Sequence, residues 1–303
     1  MKQILTICAI ALLVSGCSGT STTKKGEQQS QTQLEKDPQQ QIAEETGPQQ
    51  SQIVELGNPS SPQKALVIGN SGYEHQKLDN PYNDAVDMAT LLKEMDFHVI
   101  RAINLNNREM DQVVRDFHQL LADTPAPANE KVGFFYFSGH GARSNRDENY
   151  LLPINNSKIR RESDLRQQAL KVRTEIMEPM EDANKGVNIV VADACRDNPY
   201  EGSKARGKPR GLGREAPSPA TSEKLGVLIA FGADEGEIAD DGDDGNGLYT
   251  KHLLAKMREG KHKPIEDVFM EVWDPVKQES KDRQHPWYES TLIKDYCLGG
   301  CLE

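Results

Sequence analysis

His140 and Cys195 are the residues of this chain best suited to do chemistry. His140 lies near the end of Phe134-Phe135-Tyr136-Phe137-Ser138-Gly139-His140-Gly141, and Cys195 ends Asn188-Ile189-Val190-Val191-Ala192-Asp193-Ala194-Cys195. Each apolar run reads as a buried strand that delivers one reactive side chain to a sheet edge. A thiol with an ordinary pKa near about 8.5 is a weak nucleophile at neutral pH. An imidazole beside it takes the proton and later returns it to a leaving amine. The pair therefore points to attack on an amide carbonyl. The resulting oxyanion needs donors, and the backbone N–H groups of Gly141 and Cys195 are the nearest source. No side chain stands out as orienting His140; a backbone carbonyl would suffice. Taken singly, a cysteine on an apolar strand is usually inert core, and a lone histidine is usually structural. Together at two strand ends, one of them flanked by glycines, they favour a catalytic dyad.

Elements must alternate to bring those two ends together. Residues 64–69 read as a first buried strand. Asn83 can cap a helix whose Ala85, Met88, Ala89, Leu92 and Met95 recur at helical spacing. A second strand is expected at 97–103 and a second amphipathic helix at 108–121. The histidine strand is third. Residues 174–183 are helical in pattern, with Pro179 expected to kink or shorten the helix. The cysteine strand is fourth and 225–231 a fifth. Helices at 248–257 and 265–278 close the domain. This alternation predicts an α/β fold, a mainly parallel sheet flanked by helices on both faces. Ligands in such sheets bind at the carboxyl ends of the strands, where His140 and Cys195 both fall.

The 303 residues carry a net charge of −11 and five cysteines. The charge argues against nucleic acid or anionic lipid as partners of the folded body. Residues 1–17 combine Lys2, an apolar run over 4–14 and Ser15-Gly16-Cys17, the pattern of an export signal. That run is short for a membrane span. Leu13-Val14-Ser15-Gly16-Cys17 also resembles the bacterial lipoprotein box. The resemblance implies cleavage before Cys17 and lipidation of its thiol; the alternative is an ordinary signal peptide. Ser18 after the cysteine implies the outer membrane, so the expected location is the cell envelope, lipid-anchored and facing the periplasm. Residues 18–62 are rich in Gln, Ser, Thr, Glu and Pro and are expected to be a disordered tether, with a reach of roughly 35–40 Å. The folded unit is then 63–296, followed by a tail at 297–303. Cys8 leaves with the signal. Cys297 and Cys301 form a close pair suited to a local disulfide in an exported protein. A metal site would want two further ligands that the sequence does not offer.

Ser138-Gly139-His140-Gly141 with Asp193-Ala194-Cys195-Arg196 resembles the caspase-like cysteine peptidase family, nearest its metacaspase branch. The resemblance covers most of 63–293. It includes Ala65-Leu66-Val67-Ile68-Gly69-Asn70, Asn83-Asp84-Ala85, Tyr150-Leu151-Leu152-Pro153, Gly247-Leu248-Tyr249-Thr250-Lys251-His252-Leu253-Leu254 and Gln284-His285-Pro286-Trp287. It implies a caspase-type fold with His140 and Cys195 as the dyad. Caspases carry Gln two positions before the nucleophile, where it helps an arginine pocket accept aspartate. This chain has Asp193 there, and a carboxylate favours Lys or Arg and rejects acidic side chains. Asp84 matches the metacaspase aspartate of the same pocket. The alternatives are a solvated strand-end carboxylate for Asp193 and a helix-start charge for Asp84.

The chain departs from the metacaspase pattern after the nucleophile, where it continues Arg196-Asp197-Asn198-Pro199 in place of Cys-His-Ser-Gly. Some metacaspases need calcium. The run Asp240-Asp241-Gly242-Asp243-Asp244 lacks the spacing of a calcium loop, and a solvated acidic loop is the default. No cofactor is otherwise implied. Residues 196–222 hold Lys204, Arg206, Lys208, Arg210 and Arg214 among Gly, Pro and Ser. They are expected to form an exposed, mobile loop and to be candidates for self-cleavage. The function expected is a membrane-anchored cysteine endopeptidase cutting peptides or proteins after Arg or Lys. Two alternatives are a silent member that captures basic peptides and a structural lipoprotein.

Overall fold

The computed structural model describes residues 50–195, 212–217, 219, 221, 223–234 and 245–302. The signal, Cys17, most of the tether, four basic loop residues (Lys204, Arg206, Lys208 and Arg210) and the acidic run 240–244 lie outside the described residues.

The chain opens with an edge strand β1 (Gln52–Leu56), then β2 (Gln63–Gly69), α1 (Pro81–Glu94), β3 (His98–Ile103), α2 (Asn107–Asp123) and β4 (Val132–Arg143). A small flap follows: β5 (Asn149–Leu151), α3 (Glu162–Gln168) and β6 (Leu170–Lys171). A π-helical turn at Val172–Met177 leads into α4 (Glu178–Ala183). Then come β7 (Val187–Cys195), β8 (Gly226–Phe231), α5 (Leu248–Glu259), α6 (Ile265–Glu279) and β9 (Trp287–Ser290). The main sheet runs β1-β3-β2-β4-β7-β8-β9. Its five central strands are parallel, and both edge strands are antiparallel.

Alternate residues of the central strands serve two different cores, as the two-residue period of a strand requires. Phe134, Tyr136, Ile189 and Val191 pack with α1, α5 and α6. Phe135, Phe137, Val190 and Ala192 pack with α2, the π-helical turn and α4. Burial on both faces explains why these strands read as unbroken apolar runs. The helix α2 begins with a capping box: the Asn106 side chain accepts from the Arg108 and Glu109 N–H groups, and the Glu109 carboxylate accepts from the Asn106 N–H.

One expectation changes. The tether does not extend to residue 62. Residues 52–56 pair with β3, and Glu55 accepts from His98 Nε2 at 3.0 Å. An edge strand buries only part of one face, so β1 carries too few apolar residues to announce itself. The helix expected over 174–183 is α-helical only over Glu178–Ala183: it is shortened, as Pro179 in its first turn allows, and the residues before it form the π-helical turn at Val172–Met177.

Candidate active site

The parallel ladder between β4 and β7 ends on the rung His140↔Cys195. Neighbouring strands stand about 4.8 Å apart, so the backbones of His140 and Cys195 lie side by side at the same height. Leu152 donates its N–H to the His140 carbonyl at 2.9 Å from the β5 side. Successive residues of a strand point their N–H groups to opposite edges. The Gly141 N–H therefore faces β7, the side that carries Cys195.

His140 is buried and held from three directions. Its Nε2 donates to the Gln76 carbonyl at 2.6 Å. A carbonyl only accepts, so the neutral ring keeps its proton on Nε2 and Nδ1 is the basic nitrogen. The His140 N–H donates to Tyr73 Oη at 2.7 Å, and Tyr73 donates onward to the Leu152 carbonyl at 3.1 Å. The Tyr73 and His140 rings lie 4.2 Å apart, centroid to centroid. Gly139 makes room for this contact, since a Cβ there would sit 2.4 Å from Tyr73 Oη. Gln76 has φ +58°, an unusual left-handed conformation for a side-chain-bearing residue. The buried Asn156 fixes the turn beside it, accepting from the His75 N–H and donating to the His75 carbonyl, both at 2.9 Å. Tyr73→Phe removes an acceptor and a donor from a buried network. The expected result is a destabilisation of about 1–3 kcal/mol, seen in thermal or urea unfolding, with a lower kcat. An unchanged midpoint and kcat would show that Tyr73 does not position His140.

Two rungs before His140↔Cys195 lies the pair Ser138↔Asp193. Here Asp84 and Asp193 converge, both almost fully buried. Asp84 Oδ2 accepts from Ser138 Oγ at 2.7 Å, and its Oδ1 accepts from the Gly247 N–H at 2.9 Å. Asp193 Oδ2 accepts from the Thr250 hydroxyl at 2.7 Å and the Thr250 N–H at 3.3 Å. Tyr136 Oη meets the same Thr250 hydroxyl at 2.5 Å. The two carboxylates face one space: a Cβ on Gly247 would lie 2.9 Å from Asp193 Oδ2 and 3.3 Å from Asp84 Oδ2. Burial first, and the Asp193 charge second, push the Asp84 carboxyl up to about 7. Asp193 is thus not a solvated strand end, and Asp84 does more than greet a helix dipole.

The segment after Cys195 differs from expectation where it is described. Leu212, Gly213 and Glu215 are buried. Gly213 exchanges two hydrogen bonds with the Asn149 side chain, at 2.7 and 2.8 Å, and Glu215 pairs with Arg173 at 2.6 Å. Arg214 is bidentate on Asp234 and lies over the Trp287 ring. Residues 212–217 are therefore docked, and the expectation of a mobile loop ending at 222 fails for this part. At the tail, Cys297 and Cys301 are joined in a disulfide with a Cα–Cα distance of 5.0 Å. Among the described residues, no cluster of His, Cys, Asp and Glu has the arrangement of a metal site.

A profile of the caspase domain matches residues 62–297. The chain belongs to this family. The caspase domain is 29% identical over 210 residues to mucosa-associated lymphoid tissue lymphoma translocation protein 1 homolog of Mus musculus, covering 68% of this chain and 23% of that protein. The Homo sapiens protein is 29% identical over 199 residues, covering 65% of this chain and 22% of its length. This chain thus spans less than a quarter of those mammalian relatives. The crystal structure of caspase-1 from Spodoptera frugiperda superposes with a TM-score of 0.55 at 13% identity, covering 79% of this chain and 92% of that one. The caspase fold, a central mixed sheet between two helical layers, is the one described above.

Sequence reasoning missed Tyr73, Gln76, Ser138, Thr250 and Gly247 as hydrogen-bond partners of His140, Asp84 and Asp193 in this caspase domain. Gln76 acts through its carbonyl, which every residue type possesses, so no side-chain signal existed. Ser138, Gly247 and Thr250 lay inside motifs already picked out by resemblance, without a role. Tyr73 had no signal of its own.

Proposed function

We propose that this caspase domain is a cysteine endopeptidase that cleaves after Arg or Lys. The buried Asp84–Asp193 pair, two rungs from His140↔Cys195, carries the reading. A lysine or arginine side chain reaching that space would meet two carboxylates already oriented by Ser138, Gly247 and Thr250. An aspartate there would meet like charge in a low-dielectric site. In this scheme Nδ1 of His140 draws the thiol proton, Cys195 attacks the carbonyl carbon, and the Gly141 and Cys195 N–H groups receive the oxyanion. The histidine then protonates the leaving amine, and water resolves the thioester. A silent basic-peptide binder would use the same carboxylates without turnover. An arginyl acyloxymethyl ketone probe separates the two. Covalent labelling of the wild-type thiol, with none by the aspartyl analogue, is expected; labelling by both, or by neither, would overturn the specificity.

Self-cleavage is proposed after Lys204, Arg206, Lys208 or Arg210. Arg214 is withdrawn because Asp234 and the docked segment hold it. Intact mass measurement of wild type beside Cys195→Ala tests this, with nicking expected only in the wild type.

The N-terminal pattern supports export, lipidation of Cys17 and anchoring to the outer membrane, followed by a tether that now ends near residue 50. A fatty-acid analogue should label the wild type and spare Cys17→Ala. An unlabelled, freely soluble wild type would restore the plain export signal.

A further inference from the structure

The peptidase scheme makes no use of the disulfide Cys297–Cys301, which closes a loop with a sequence separation of only 4. The stabilisation a disulfide brings grows with the loop it closes, so this one staples little. The chain around it is fixed by other means. Cys297 and Leu298 are buried. The Tyr296 carbonyl accepts from the Ile265 N–H at 2.8 Å, and Tyr296 Oη donates to Gln63 Oε1 at 2.6 Å. The two halves of the bridge are unlike: Cys297 is 5% exposed, whereas Cys301 is an exposed residue.

The bridge opens onto space. Cys297 and Cys301 line a cavity of about 650 Å³ together with Gln63, Met95, Lys261 and His262. That cavity gives an incoming thiol a path to the sulfurs. Lys261 and His262 lie against the residues beside Cys301. The Gly299 N–H donates to the Lys261 carbonyl at 2.6 Å, and His262 Nδ1 donates to the Gly300 carbonyl at 2.8 Å. A Cβ on Gly299 would meet His262 Cε1 at 3.1 Å and Lys261 Cγ at 3.2 Å. Cationic side chains beside a thiol favour its thiolate, and a stabilised thiolate makes its disulfide easier to reduce. The cavity also touches Gln63, which stands opposite Val132 on the first rung of the β2–β4 ladder. From Val132 to His140 the strand rises about 26 Å, at about 3.3 Å per residue. The bridge therefore lies at the opposite end of the sheet from Cys195.

We propose that Cys297–Cys301 is a thiol-exchange site, attacked at Cys301 by a thiol reductant while the domain stays folded. A thiolate of the reductant bonds to Cys301 Sγ, the Sγ–Sγ bond breaks, and its electron pair leaves on Cys297 Sγ, which takes a proton from solvent. A second thiolate of the reductant then attacks the first reductant sulfur and expels the Cys301 thiolate, which Lys261 and His262 stabilise. The reductant ends as a disulfide, two electrons poorer, and Cys297 and Cys301 end as thiols. Reduction frees Gly299–Cys301 from their covalent tie and unroofs the cavity. The site does not depend on the peptidase reading.

The test uses the full oxidised chain. It is equilibrated in glutathione buffers of stepped reduced-to-oxidised ratio or treated with reduced thioredoxin, a protein dithiol. Thiols are then alkylated and read residue by residue by peptide mass spectrometry, which keeps Cys195 apart, and thermal unfolding is followed on the same samples. A structural disulfide resists the glutathione pool. Here Cys297 and Cys301 are expected to become alkylated together in mostly reduced glutathione, in protein that still unfolds in one cooperative transition. Reduction by thioredoxin about tenfold or more faster than by glutathione at equal thiol concentration would name a protein dithiol as the reductant, and comparable rates a small thiol; both uphold the site. In the reduced protein at pH 7, iodoacetamide should label Cys301 about tenfold or more faster than Cys297, and Lys261→Gln/His262→Gln should slow Cys301 by about threefold or more. A bond that resists both reductants in the folded protein would overturn the proposal. So would reduction that appears only as the domain unfolds, or a Cys301 labelling rate unchanged in the variant, which marks exposure alone.

Discussion

Cys195→Ala is expected to remove turnover of arginyl peptides, and His140→Ala to lower kcat/KM by at least about a thousandfold, with both proteins folded. The magnitude follows from roles that nothing else on the rung can fill. General-base activation alone contributes roughly 10²–10⁴, and without the thiol there is no acyl intermediate at all. Folding should survive because the ladder under the rung is made of backbone bonds and of Phe134–Phe137 and Ile189–Ala192 packing. His140→Ala does leave the Gln76 carbonyl without its 2.6 Å donor, so a modest loss of stability is expected there and none for Cys195→Ala. The measurements are steady-state kinetics with an arginyl fluorogenic peptide and thermal unfolding of the same preparations. Cleavage by a clean Cys195→Ala preparation would refute the assignment of the nucleophile.

The pairing of the His140 and Cys195 strands and the central sheet were legible because their signals are local. An apolar β-branched run ending in a reactive residue announces both a buried strand and what it carries, and β4 and β7 do so within single segments. The edges were not legible. β1 reads Gln52-Ile53-Val54-Glu55-Leu56, half polar, because only part of one face is covered. The flap strand β6 is two residues long and exists only by pairing with β5. The acidic pocket was half legible. Resemblance marked both residues, Asp193 by the charge it puts where caspases carry Gln and Asp84 by the metacaspase match, but their convergence on Gly247 needs α1, β7 and the start of α5 in one place. The tether boundary and the docking of 212–217 were misjudged for one reason. Polar composition reports what a segment cannot bury, and it is silent about hydrogen bonds such as those of Asn149 to Gly213.

Asp84→Asn is expected to make the enzyme worse and the fold more stable, and the two effects share one cause. The Asp84 carboxyl is raised from 3.8 to about 7, mainly by burial and next by Asp193. A raised carboxyl pKa means the folded state holds the proton more tightly than the unfolded chain. Its contribution to stability is therefore fully present below about pH 4 and is lost as pH rises through about 7. Three pKa units correspond to at most about 4 kcal/mol. Asparagine carries no charge, can still accept from the Gly247 N–H, and can donate toward Ser138. Above pH 7 the variant should therefore unfold later than wild type, and the two curves should converge toward pH 4. Activity runs the other way. Only the ionised carboxylate pairs with a guanidinium, so the wild-type preference for arginyl over leucyl peptides should rise with pH through about 7. Taking the ratio of the two substrates cancels the titration of the dyad itself. In Asp84→Asn the ratio should be flat with pH. In Asp193→Asn it should fall by roughly 30- to 1,000-fold, matching the 2–4 kcal/mol of a lost buried charge-assisted contact. A pH-independent ratio in the wild type, or an Asp84→Asn protein less stable than wild type at pH 8, would mean that the pair is a structural hydrogen-bond network and that selectivity lies elsewhere.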